Sequence, residues 1–173
     1  LSGAPVAVGR DEGDSDIFIE LSTGGVEARF VQPANELSLI KQSDSLQIMG
    51  LGSATTGNLQ LRLFEDDQLI EQTSNDTIAY VFKPSDNQEQ VVFSLIADNG
   101  QGLSDTTTTM VVVRPDELSS TPRPAQTQDG IQYLSDSSVL VSLFAPYKDF
   151  IYVLGDFNYW TPTADYLMHK ESH

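Results

Sequence analysis

The chain has 173 residues and a formal net charge of −16, because 25 acidic residues outnumber 9 basic ones. This charge repels nucleic acid and anionic membranes, so neither is expected as a partner. There is no cysteine for a disulfide and no run of 18 apolar residues for a membrane span. The length predicts one or two small domains, and Leu1 in place of Met indicates a processed or trimmed product.

Residues 1–25 are predicted to be the tail end of an upstream module or an added edge strand. Only 17–21 has the apolar character of a strand, and one strand cannot form a domain by itself. The acidic run 11–16 is rich in the carboxylate oxygens that calcium prefers, but it lacks the Glu at the twelfth position of an EF-hand loop. We therefore expect a solvated linker, with calcium as the alternative, and no other cofactor or metal.

Residues 26–115 carry the pattern of an immunoglobulin-like β-sandwich. Leu59, Leu61 and Leu63 alternate with polar residues, which is the period of a half-buried strand. Asn99-Gly100 indicates a hairpin, because both residue types tolerate the positive φ of a type I′ turn. Seven short strands separated by turn residues match the sandwich pattern. They are expected at 26–32, 45–51, 59–63, 68–73, 77–83, 90–97 and 104–113.

A Pro/Ser/Thr linker is predicted at 116–128, and a second region follows at 129–173. Its apolar runs 139–145 and 150–154 are expected to pair as a β-hairpin through a turn at Pro146. The region offers about four strands, whereas a complete sandwich needs about seven. The fold class is therefore predicted as all-β, an immunoglobulin-like sandwich plus the first strands of a second, truncated sandwich.

An aromatic platform is predicted at the end of this hairpin. Gly-Asp-Phe-Asn occupies 155–158, and Trp160, the chain's only tryptophan, follows after one residue. Eight of the chain's fifteen aromatic residues lie between Phe144 and Tyr166. Such a concentration is typical of a stacking surface or of a domain junction.

The region 128–173 resembles the N-terminal β-sandwich of α-amylase-family enzymes (glycoside hydrolase family 13), the early-set or family-48 carbohydrate-binding module. That module has an apolar strand, an Ala-Pro turn, a second apolar strand, Gly-Asp-Phe-Asn, one residue and Trp, and then a strand with a basic end, here 166–170. Region 26–115 resembles the immunoglobulin-like spacers of secreted bacterial polysaccharide-degrading enzymes. The resemblance implies secretion or a bacterial cell surface, an α-glucan ligand, and a downstream catalytic barrel in the same polypeptide.

The resemblance implies that Trp160 stacks on α-glucan, and Tyr159 and Asn158 are predicted to contact the sugar beside it. The alternative for Trp160 is a packing role at a sandwich end, because in many catalytic members the module mainly supports the barrel. Gly155 and Asp156 are expected to shape the turn, and Asn158 can do the same through its side-chain amide.

No catalytic residues are predicted. Glycoside hydrolysis needs two carboxylates held about 5–10 Å apart across a cleft, and no spacing in this chain singles out such a pair. No nucleophile elbow, phosphate loop or metal-ligand motif occurs, and the only histidines are His169 and His173. In the resembled family the catalytic carboxylates lie on a (β/α)₈ barrel.

The leading hypothesis is therefore a non-catalytic N-terminal part of an α-amylase-like enzyme, which serves as a spacer and as a binding platform for starch-type glucans. The alternative is a structural or adhesive cell-surface protein of tandem β-sandwich domains. The motif at 155–160 favours the first, since an adhesive repeat has no need of it.

Overall fold

The computed structural model describes the backbone of residues 6–10 and 16–19 and all atoms of residues 25–171. In these ranges the regular structure is β, apart from short 3₁₀ turns, so the predicted fold class is confirmed. None of the described helices is long and apolar enough to cross a membrane. Two compact units are present: the first holds the described residues up to 38 with 44–83 and 91–111, and the second holds 39–43, 84–90 and 112–171.

The N-terminal strands form a sheet of their own. β1 (Val6–Arg10) pairs antiparallel with β2 (Asp16–Ile19). β2 overlaps the strand expected at 17–21, and β1 was not predicted. Residues 11–15 of the possible calcium run lie outside the described residues, as does His173. Among the residues that are described, no group of three His, Cys, Asp or Glu side chains could hold a metal ion.

The first sheet of the sandwich has three antiparallel strands, and all three were predicted. They lie in the order β3-β5-β8, with β3 at Val26–Gln32, β5 at Leu46–Ala54 and β8 at Thr77–Phe82. The alternation anticipated from the sequence places Ile48, Ile78 and Phe82 in the interior, at most 3% exposed. Gly50 has no side chain, and a Cβ there would overlap Leu95, so this position lets the two sheets approach closely.

The second sheet has the order β4-β10-β9-β6-β7. Its strands are β4 (Leu37–Lys41), β6 (Gln60–Glu65), β7 (Gln68–Thr73), β9 (Gln90–Asp98) and β10 (Ser104–Arg114). β4 was missed, because it is a short edge strand in which the apolar Leu37 and Leu39 are exposed. It runs parallel to β10, since the N–H of Met110 donates to Glu36 O and the N–H of Gln42 donates to Arg114 O.

The sandwich core is apolar and tightly packed. Phe82 of the first sheet meets Phe93 of the second edge-on, with ring centroids 5.2 Å apart. Leu61, Leu63 and Leu95 are fully buried beside them. Each buried side chain of this size contributes roughly 1.5–3 kcal/mol relative to full exposure. The alternating leucines of the sequence therefore form the core, as predicted.

The hairpin predicted at Asn99-Gly100 is confirmed, since β9 and β10 are neighbours in the sheet, but Asn99 lacks the positive φ of a type I′ turn. β9 ends at Asp98 and β10 begins at Ser104, so five residues connect them. The Asn99 side chain is 1% exposed, and its Oδ1 accepts the N–H groups of Gln101 and Leu103. The buried side chain of Asn99 therefore holds this five-residue loop together through its hydrogen bonds. The expected turn at Asp66-Asp67 is confirmed, with φ of 44° and 66°.

The hairpin predicted in the second region is paired differently. β12 (Gly130–Ser135) pairs antiparallel with β13 (Ser138–Ser142), and residues 150–154 contribute only an isolated bridge between Tyr152 and Leu167. Asp136-Ser137 provides a tighter connection than the Pro146 turn, and Pro146 has no N–H for a ladder. β11 (Ser120–Thr121), inside the predicted linker, pairs parallel with β14 (Lys170–Glu171).

Candidate functional site

The loop at 155–160 is held by the side chain of Asn158. Its Oδ1 accepts the N–H of Gly155 at 2.9 Å, and its Nδ2 donates to Val153 O at 2.8 Å. Asn158 is 7% exposed, so both bonds lie largely out of water. A buried amide with both ends satisfied fixes the local backbone, because losing either partner leaves a desolvated polar group. Asn158 therefore shapes the loop.

Tyr159 and Trp160 follow a 3₁₀ turn at Asp156–Asn158 and both have left-handed backbone, with φ of 53° and 57°. The N–H of Trp160 donates back to Gly155 O at 3.0 Å, which closes the loop. The two side chains then lie at the surface, Tyr159 90% and Trp160 65% exposed. Non-glycine residues in this region carry a strain of order 1 kcal/mol each, which the surrounding hydrogen bonds must offset.

Asp156 fixes the orientation of the indole. Nε1 of Trp160 donates to Oδ1 of Asp156 at 2.9 Å. A hydrogen bond to a carboxylate is stronger than one between neutral groups. The indole edge is thereby tethered to its own loop while most of the side chain stays in solvent.

Phe157 contacts two neighbours although it is 60% exposed. Its ring lies next to Gly155, where an added Cβ would come within 2.5 Å of it, and it packs on Tyr166 with ring centroids 5.2 Å apart. Gly155 itself is extended and buried, so its role is to leave room for the ring. Within the Gly-Asp-Phe-Asn run, Gly155 leaves room for the Phe157 ring, which packs on Tyr166. Asp156 holds the indole by a hydrogen bond, and Asn158 fixes the backbone of the loop.

The predicted site residues are therefore adjacent in space but differ in exposure. Trp160, Tyr159 and Asp156 are at the surface, whereas Gly155 and Asn158 are buried beneath them.

A groove of about 930 Å³ in the second unit was not anticipated from the sequence. Apolar residues from β13 form one side, and the segment around Tyr166 and Met168 forms the other. Its polar end holds Arg123, which contacts Asp129 at 2.9 Å and Glu171 at 4.0 Å. The groove lies between segments distant in the chain, so no local pattern could reveal it. Trp160 is not among its lining residues.

A second aromatic cluster surrounds Arg114, the last residue of β10. Its guanidinium lies 4.5 Å from the centroid of Phe150, and Phe150 packs edge-on against Tyr152 at 6.0 Å. Burial raises the pKa of the Tyr152 hydroxyl, and the nearby Glu89 raises it further, while Arg114 partly opposes both. Arg114 is 8% exposed, so this cation–π contact is largely shielded from water.

Comparison with known proteins assigns no family. A scan against protein-family models finds no match, and a search of curated proteins finds no relative. Among solved structures, the chain is similar to one described as "Structures of Clostridium thermocellum CbhA fibronectin(III)-like modules", with 13% identity and a TM-score of 0.45. The match covers 58% of this chain and 52% of that chain, about half of its length.

Proposed function

We propose that this chain is a non-catalytic, carbohydrate-binding part of a secreted α-amylase-like enzyme, and that the loop at 155–160 is its glucan platform. One observation carries the proposal: Trp160 is 65% exposed while its Nε1 is hydrogen-bonded to Asp156. An indole that only packed against a core would be covered. An exposed but tethered indole has already lost part of the motional freedom that ligand binding would otherwise remove.

The chemistry of this pair suits a sugar ring. The apolar C–H face of a pyranose can stack on an indole, while its hydroxyls remain hydrated or hydrogen-bonded. The exposed carboxylate of Asp156 supplies acceptor oxygens beside the indole, and the phenol of Tyr159 supplies a donor. Because Asn158 is buried and its amide is engaged, direct sugar contact is assigned to Trp160 and Tyr159.

The choice of starch-type α-glucan rests on the sequence resemblance of 128–173, and the spacer role rests on the sandwich pattern of 26–115. In this proposal the sandwich separates the platform from upstream segments, and a catalytic barrel of the same polypeptide lies downstream.

Calorimetric titration of the purified chain with maltoheptaose tests the proposal. We expect Trp160→Ala to weaken binding roughly fivefold, the equivalent of about 1 kcal/mol for one stacked ring, with little change in Tm. Tyr147→Ala is the control, because Tyr147 is 96% exposed and lies outside the 155–160 loop. An unchanged affinity with a stability loss of roughly 3–5 kcal/mol would instead make Trp160 a packing residue.

A structural or adhesive role is the second candidate. It is favoured by the apolar side chains that β12 and β13 expose, since such surfaces mark protein-binding sites. Absence of glucan binding together with stable protein association would support it.

A further inference from the structure

The chain contains one Asn-Gly pair, Asn99-Gly100, in the five-residue loop between β9 and β10. An asparagine followed by glycine is prone to deamidation. The backbone nitrogen of the glycine attacks the side-chain carbonyl carbon of the asparagine and expels ammonia, and water then opens the resulting succinimide to aspartate or isoaspartate. Glycine favours the attack because it has no side chain to obstruct its own nitrogen. Asn99 is therefore the asparagine whose sequence neighbour most favours the reaction.

The folded loop fixes the side-chain amide of Asn99. This residue is 1% exposed, and its Oδ1 accepts the N–H groups of Gln101 at 2.9 Å and Leu103 at 3.1 Å. Its Nδ2 donates to Oγ1 of Thr56 at 3.4 Å. Oδ1 and Nδ2 are both bonded to the carbon that must be attacked, so turning this carbon towards the nitrogen of Gly100 displaces both atoms from their partners. Leaving buried polar groups unpaired is costly, and the amide therefore keeps its orientation.

The backbone of Asn99 is fixed as well. Its N–H donates to Leu103 O at 3.1 Å, and its carbonyl accepts the N–H of Asn58 at 3.0 Å. Gly57 lies so close that an added Cβ there would overlap the carbonyl oxygen of Asn99. Closing a succinimide ring requires rotation about the backbone bonds of the asparagine, and these contacts oppose that rotation.

The attacking nitrogen is also engaged in the native loop. The N–H of Gly100 donates to Oδ1 of Asp98 at 3.1 Å, and Oδ2 of the same carboxylate contacts Arg62 at 3.0 Å. The nitrogen must lose its proton to attack, and a negative charge beside it disfavours that loss. Asp98 therefore protects Asn99 by holding the N–H of Gly100.

We propose that Asn99 is a deamidation site that is protected in the native loop and becomes reactive when the loop opens. The overall reaction takes up one water and releases one ammonia, so it needs no cofactor. Aspartate would place a charge where the parent residue is 1% exposed, and isoaspartate would lengthen the backbone by one methylene. Each opening that leads to reaction therefore leaves a permanent change in the loop. This proposal does not depend on the proposed carbohydrate function.

An exposed Asn-Gly pair introduced into the same chain provides the reference for the test. Asn87 is exposed in a turn, with φ of 61°, and Gln88→Gly gives it a glycine neighbour. Mass spectrometry of peptides from the incubated Gln88→Gly chain then measures the deamidation of both asparagines in the same molecule. Loosening of this turn by the substitution would only expose Asn87 further, so the comparison remains valid.

We expect Asn87 to react roughly a hundredfold faster than Asn99 in the folded Gln88→Gly chain, which corresponds to a loop-opening free energy of about 2.8 kcal/mol. In urea both segments are open, and the two rates should become similar. Similar rates in the folded chain would overturn the proposal. A slow reaction of Asn99 in urea would overturn it too, because the sequence and not the fold would then account for the protection.

Glycine variants test the role of loop opening separately. Gly57→Ala pushes a methyl group into the backbone of Asn99, and we expect it to speed deamidation there about tenfold, the equivalent of about 1.4 kcal/mol of loop stability. Gly130→Ala is the control, since Gly130 also has positive φ, 108°, but begins β12 with nothing within 4 Å of an added Cβ. It should leave the rate at Asn99 unchanged. An unchanged rate in Gly57→Ala, or an equal acceleration in Gly130→Ala, would contradict the proposal.

Discussion

The indole Nε1 of Trp160 donates a hydrogen bond to Oδ1 of Asp156 at 2.9 Å, four residues earlier in the same surface loop. The tryptophan is 65% exposed, so this bond restrains a side chain that packing alone leaves largely free. Asp156 thus has an orienting role, whereas the sequence suggested only a turn former.

Removing the carboxylate of Asp156 should let the Trp160 indole move more freely without unfolding the protein. In Asp156→Ala we expect the fluorescence anisotropy of Trp160 to fall, because the ring gains motion on the ps–ns timescale. Maltoheptaose affinity should fall several-fold, with Tm nearly unchanged. Asp165→Ala, at an exposed acid in the next 3₁₀ turn, is the control and should change neither quantity. Unchanged anisotropy in Asp156→Ala would show that the hydrogen bond does not restrain the ring.

Removing the side chain of Asn158 should cost more stability than removing that of Asp156. Asn158→Ala deletes two largely buried hydrogen bonds and leaves the N–H of Gly155 and the carbonyl of Val153 without their partner. We expect a loss of about 1–3 kcal/mol in local stability, seen as faster amide exchange at Gly155. Asn158→Asp keeps the acceptor but loses the donor, so its effect should be intermediate. Exchange at Gly155 that matches the parent chain in both variants would contradict this assignment.

Two glycines of the sandwich differ in a testable way. Gly57 and Gly102 both have positive φ, of 78° and 94°, but a Cβ at Gly57 would overlap the backbone of Asn99, whereas nothing lies within 4 Å at Gly102. Gly102→Ala should therefore cost only the backbone strain, about 1–2 kcal/mol. Gly57→Ala should cost clearly more, because a backbone must also shift. Urea unfolding measures both, and equal losses would mean that the loop at 57 relaxes freely.

Tyr152 should make the protein sensitive to alkali. Burial raises its pKa above the usual 10.0, so the folded state keeps the phenol neutral at a pH where the unfolded state ionises it. The unfolded state then binds fewer protons, and the free energy of unfolding falls as pH rises above about 10. Tyr152→Phe should remove this contribution and gain stability relative to the parent chain between neutral and strongly alkaline pH.

The control for that experiment is Tyr147→Phe, at a tyrosine that is 96% exposed. Denaturant titrations at neutral and alkaline pH would measure the change. A Tyr152→Phe variant whose stability falls with pH as steeply as that of the parent chain would contradict the prediction.

The strands of the sandwich could be predicted because the residue pattern of each strand and turn is contained in a short stretch of sequence. Alternating residues such as Leu61 and Leu63, with turn residues such as Asp66-Asp67, mark strand and turn without knowledge of the partner strand. β4 was missed because an edge strand can leave its apolar side chains exposed, as Leu37 and Leu39 do. The hairpin at Asn99-Gly100 was predicted correctly, but its turn is not type I′, because the side chain of Asn99 is buried and hydrogen-bonded within a longer loop.

The site was predictable in residue identity but not in geometry. The motif at 155–160 indicated the loop, but which members would be buried depends on contacts such as Asn158 with Val153. The pairing of 139–145 with 150–154 was wrong because apolar runs do not specify their partners. The groove arises from those unforeseen pairings, so no local sequence pattern could indicate it.

The most direct test of the central claim follows the indole N–H of Trp160 by two-dimensional ¹H–¹⁵N NMR. The chain has one tryptophan, so the spectrum contains one indole signal. If the 155–160 loop is a glucan platform, maltoheptaose should shift this signal saturably, with the same affinity as measured by calorimetry, while a β-linked glucan of equal length should not. An indole signal that stays fixed up to the solubility limit of maltoheptaose would contradict the account.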